Sequence, residues 1–104
     1  MQSEILALKN FKGGWDGDDA DPIALGAIDS AHRFIEAYDG NLIFDAFPDP
    51  DGSVGLHADF IDGRVLLSFD DVGETAYLIR INKAVHRGHG ATHETINTLL
   101  SSLL

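Results

Sequence analysis

The stretch SVGLHADFIDGRVLLSFD, residues 53–70, decides the fold. Apolar and polar residues alternate on both sides of Asp62-Gly63, a dipeptide suited to a tight hairpin because both positions tolerate positive φ. A turn there pairs Phe60 with Val65, Ala58 with Leu67 and Leu56 with Phe69. All six are apolar, so they share one buried face, because side chains alternate sides along a strand. The opposite face carries His57, Asp59, Leu66, Ser68 and Asp70, with His57 set against Ser68.

Working outward, Thr75–Ile81 alternates as a further strand, and residues 41–47, NLIFDAF, read as a strand on the other side. The segment PDPDG, residues 48–52, joins that strand to the hairpin as a proline-set turn. Residues 83–91 are rich in histidine and glycine and read as a loop. Upstream, Asp21-Pro22 suits a helix start. Ala24, Ile28, Ala31, Ile35 and Tyr38 recur at helical spacing, widened by Ala27 and Phe34. Asp39-Gly40 suits its end, with glycine in the left-handed position. Thr92 caps a last helix with Ile96, Leu99, Leu100 and Leu103 inward. The expected fold is α+β: a four-stranded antiparallel β-meander packed against a long helix, with a short C-terminal helix. Its 104 residues form a single domain by size.

Seven basic residues stand against seventeen acidic ones, a net charge of −10. The excess is uneven. Residues 45–74 hold Asp45, Asp49, Asp51, Asp59, Asp62, Asp70, Asp71 and Glu74 against Arg64 alone, whereas residues 75–104 set Arg80, Lys83 and Arg87 against Glu94. Nucleic-acid phosphate is repelled by such a surface and a basic protein is steered toward it. With no cysteine, disulfides and thiolate chemistry are excluded. No apolar run is long enough to span a bilayer, and MQSEILALKN has no signal-peptide pattern, so a cytoplasmic location is expected.

Candidate sites are three. Trp15 to Asp21, WDGDDAD, is acid-rich, yet counting from Asp16 it lacks the glycine at position six and glutamate at position twelve of an EF-hand loop. A solvated turn is the plainer reading. His86, His89 and His93 supply three imidazoles without the spacing of a helical metal site. The face bearing His57, Asp59, Ser68 and Asp70 invites a triad reading, but a flat open sheet offers neither an oxyanion hole nor a concave pocket. No enzyme activity and no cofactor are expected.

Three stretches carry a resemblance. They are Gly14-Trp15-Asp16-Gly17 before the alanine-rich helix, Pro48-Asp49-Pro50-Asp51-Gly52-Ser53-Val54 before the hairpin, and Arg87-Gly88-His89-Gly90 before the last helix. Together they resemble a group of small bacterial and phage-borne proteins with a GWDG-type N-terminal motif and a C-terminal RGHG motif. The resemblance carries no activity. It implies that the Trp15 turn and the His89 segment work as a pair at one end of the sheet.

The leading expectation is a small acidic binding protein that occupies a basic protein surface, in the manner of an inhibitor, immunity protein or antitoxin-like regulator. Its contact residues are Asp45, His57, Asp59, Leu66, Asp70, Asp71 and Glu74, with Leu66 as an exposed apolar centre. No nucleic acid or membrane is expected as a direct partner, and a homodimer is open. The alternative is a small-molecule or metal-binding protein using Trp15, Asp16 and His89, with His86 and His93 as further ligands.

Overall fold

The computed structural model describes residues 22–72 and 74–103. Helix α1 (Leu25–Ala37) leads into strands β1 (Asp45–Pro48), β2 (Val54–Phe60), β3 (Gly63–Phe69), β4 (Thr75–Ile81) and β5 (Ala84–Ala91), and helix α2 (His93–Leu103) completes the order. The protein is α+β. Its sheet is antiparallel in the order β1-β2-β3-β4-β5, with each strand beside its sequence neighbour. The sheet has five strands, where the sequence suggested four.

The fifth strand comes from the segment expected as a loop. Gly88 lies opposite Tyr77, and a Cβ there would meet the Tyr77 ring and hydroxyl at 2.8–2.9 Å. The glycine therefore makes room for an aromatic ring across the ladder. Gly90 has φ +68° and sits in a bulge, where His89 and Gly90 together face Ala76. Glycines that look like loop punctuation belong here to a strand.

The hairpin register also differs. The observed pairs are Phe60 with Gly63, Ala58 with Val65, Leu56 with Leu67 and Val54 with Phe69. The turn is Ile61-Asp62, and His57 faces Leu66 rather than Ser68. Among the described residues Asn82, Gly52 and Gly90 alone have positive φ, so Gly63 is not a turn glycine. A Cβ at 63 would overlap the Arg80 carbonyl oxygen across the ladder and lie 2.7 Å from the Phe60 ring. Close strand approach dictates this glycine. Because the shift is even, every side chain keeps its expected face.

Both helices pack on one face. α1 presents Ala27, Ile28, Ser30, Ala31 and Phe34, all buried, to Leu56, Val65, Leu67 and Phe69. α2 adds Ile96 and Leu100. Phe34 is fully buried, with the Tyr38, Phe44, Phe69 and His93 rings all within 6 Å of its own. α1 starts later than Pro22: Ala24 is its N-cap, without a side-chain cap, and donates its N–H to the Gly52 carbonyl. It ends on an extended Tyr38, not on a left-handed Gly40. The Tyr38 hydroxyl accepts the Leu42 N–H at 3.0 Å, closing that corner. Thr92 does cap α2, accepting the Thr95 N–H at 3.1 Å.

Candidate functional site: the open sheet face

On the face away from the helices, the cross-strand register builds three rows. The central row is Asp45, His57, Leu66, Leu78 and Arg87. On one side of it run Phe47, Gly55, Ser68 and Ala76, and on the other Asp59, Arg64, Arg80 and Val85. No described helix packs on this face, so the second helix does not cover it. Leu66 and Leu78 are directly paired at its centre and half-buried by their neighbours. Phe47 lies over Gly55, where a Cβ would collide with its ring, and tilts against His57 at 5.7 Å between centroids.

This face is not acidic: Asp45 and Asp59 stand against Arg64, Arg80 and Arg87. Asp59 accepts from Arg64 Nε at 2.6 Å, and that hydrogen bond holds its carboxyl below the usual range, helped by the nearby charges of Arg64, His57 and Arg80. His57 Nε2 is 3.9 Å from Asp45 Oδ2, an exposed, weak pairing. Arg80 and Arg87 complete the set. The expected acidic patch is therefore split. Asp45, His57, Asp59 and Leu66 share the open face, while Asp70, Asp71 and Glu74 lie in the β3–β4 connection at one end of the sheet.

That end is the acidic part of the molecule, because the β1–β2 connection brings Asp49 and Asp51 there too. Several of these carboxylates shape turns. Asp70 Oδ1 accepts the N–H groups of Val72 and Glu74 at 3.1 and 2.8 Å. Asp51 Oδ1 accepts the Ser53 N–H at 3.0 Å. Burial pushes the Asp49 carboxyl up, with the Asp51 charge adding to it. His89 lines a shallow hollow here with Asp51, Ser53, Ser68, Asp70 and Glu74. Trp15 and Asp16, its expected companions, lie outside the described residues.

The three histidines do not assemble. His86 sits opposite Ile79 on β5, His89 is in the bulge, and His93 turns inward. Its ring meets Phe34 and Phe69 edge-on, at 5.8 and 5.7 Å, and its Nε2 is 3.0 Å from Ser30 Oγ. Burial lowers its pKa, and the Arg33 charge lowers it further. His93 is a wedge between the two helices and the sheet. Among the described residues no cluster of three or more histidines or carboxylates is placed to hold a metal ion.

Sequence reasoning missed two features. Leu78, Arg80 and Arg87 join the open face only once the five-strand register is known. At the end opposite the acidic turns lies a groove of about 580 Å³ lined by Tyr38, Leu42, Phe60, Ile81, Leu100 and Leu103 among others. The exposed Ile61 borders it, and so does Asn97, whose buried Oδ1 has no hydrogen-bond partner. Among the described residues no helix is long and apolar enough to cross a membrane. Comparisons with protein-family models, with curated proteins and with solved structures gave no match to this chain.

Proposed function

We propose that this chain is a non-enzymatic protein-binding module, acting by occupying a partner's surface as an inhibitor, immunity or antitoxin-like regulator does. The open sheet face is its contact surface, and the acidic end steers it to a basic partner. The observation that carries this reading is the Leu66–Leu78 pair, at the centre of a face no described helix covers and bordered by charges. An apolar centre with a charged rim is the layout in which few residues supply most of the binding energy. Carboxylates at the sheet's end act at longer range, on encounter rate and specificity.

The test is a tagged pull-down from a bacterial host, with and without phage infection, washed in a salt series. The wild type is expected to retain one stoichiometric partner that leaves as salt rises. Leu66→Asp with Leu78→Asp is expected to weaken it at least about 30-fold while leaving the far-ultraviolet circular dichroism unchanged, as loss of a contact centre does. Neutralising Asp70, Asp71 and Glu74 is expected to slow association and flatten the salt dependence. Retention of the partner by the folded double variant would remove the open face from the reading.

A further inference from the structure

The sheet's two edges differ. β1 is four residues long and closes on Pro48, which has no N–H to offer. β5 runs for eight residues without proline, and most of them are exposed. No described strand lies beyond it, so its outward N–H and C=O groups have no ladder partner among the described residues. Its straight part is residues 84–88, because the bulge at His89 and Gly90 bends the end of the strand.

The charges around this edge are also unusual for the molecule. Arg33 is paired with Asp29 and Arg64 with Asp59, while Arg80 donates to the Asn82 carbonyl. Among the described residues, Lys83 and Arg87 have no acidic partner, and they bracket the straight edge. In a chain of net charge −10, unneutralised positive charge sits where the backbone is free to pair.

We propose that β5 is a docking edge for an extended acidic segment of a partner protein, which adds to the sheet as a sixth strand along residues 84–88. Main-chain hydrogen bonds hold the added strand, and carboxylates beside Lys83 and Arg87 select it. A second copy of this chain is a poorer occupant, since antiparallel pairing of two β5 strands sets their cations against each other. The molecule's own negative charge does not forbid the contact. Asp59 is held by Arg64. Asp45 on β1 is four strand spacings away, about 19 Å, or roughly two Debye lengths at physiological salt. Asp62, whose carbonyl accepts the Asn82 N–H, borders only the Lys83 end. The acidic turn lies past the bulge, which limits the site to the straight part. This contact is made by the backbone edge of β5 and shares only Val85 and Arg87 with the open face, so Leu66→Asp with Leu78→Asp, which lie off the edge, separates the failure of one reading from that of the other.

The probes are two capped hexapeptides, one alternating glutamate with valine and one alternating lysine with valine. Each is titrated into the full-length ¹⁵N-labelled protein and followed by amide shifts. The glutamate peptide is expected to bind about tenfold more tightly than the lysine peptide, the effect of exchanging two favourable cross-strand charge pairs for unfavourable ones. The shifts are expected to centre on residues 84–88. Lys83→Glu with Arg87→Glu, both exposed, is expected to reverse the preference. Equal affinities, absence of binding, shifts centred elsewhere, or a preference that survives charge reversal would each overturn the proposal. So would a dimer in sedimentation velocity that the same reversal dissolves.

Discussion

Replacing Gly63 with alanine tests why the hairpin sits in its observed register. The added Cβ would overlap the Arg80 carbonyl oxygen and lie 2.9 Å from its carbon and 2.7 Å from the Phe60 ring. Unstrained carbon contacts begin at about 3.5 Å, so β3 and β4 must part by at least about 0.6 Å at this end. A ladder bond of about 2.9 Å then stretches beyond hydrogen-bonding range. Two such bonds, near the Gly63–Ile81 and Arg64–Arg80 pairs, are worth about 1 kcal/mol each. Displacing Phe60 from its partly buried site adds roughly 1 kcal/mol more. The expected loss is about 3 kcal/mol, a large share of the roughly 5–15 kcal/mol holding a domain together. It corresponds to a fall in melting temperature of about 15 °C. Urea and thermal unfolding followed by circular dichroism measure it. A change below about 0.5 kcal/mol would show that the strands do not approach closely at Gly63, and the register argument would fail with it.

Acid should weaken the fold through His93. Its imidazole holds a proton less tightly when folded than the unfolded chain does near pH 6.5, because it is buried and near Arg33. Its contribution is whole above that pH and declines as pH falls below it. His93→Gln is expected to flatten the dependence of urea midpoint on pH between 7.5 and 5, and an unchanged slope would clear His93 of the effect. Thr92→Ala should cost about 1 kcal/mol through the lost cap, read from the same urea curves, whereas Thr92→Ser should restore most of it. Phe34→Ala, which empties the centre of four ring contacts, should cost about 3–5 kcal/mol in the same assay.

Local chemistry made much of the fold legible. The stripe through Ala27, Ala31 and Phe34, the alternation in residues 53–70 and the Thr92 cap each depend on near neighbours, and each appears where the sequence put it. Apart from the two ends of α1, the misses are contacts between strands. Gly63 and Gly88 carry the same letter as turn glycines, and what distinguishes them is a carbonyl or a ring on the next strand. On the candidate open face, the placement of His57, Asp59 and Leu66 follows from the hairpin's alternation, whereas Asp45 enters through the acid-rich run of residues 45–74. Leu78, Arg80 and Arg87 were not grouped with them, since that needs the register of two further strands. The acidity assigned to the open face was misplaced for a related reason: a charge run in sequence is shared here between a face and the connections at its end.

The strict neighbour order of the sheet has a consequence for how the chain reaches this structure. Each strand pairing closes across a short connection, two residues at Ile61-Asp62 and two at Asn82-Lys83, so little loop entropy opposes any of them. Such local pairing favours rapid zippering from one hairpin to the next. The contact between Ser30 and His93 spans 63 positions and joins the first described helix to the last. It belongs to a late stage, when the finished sheet has already brought both helices to the same face.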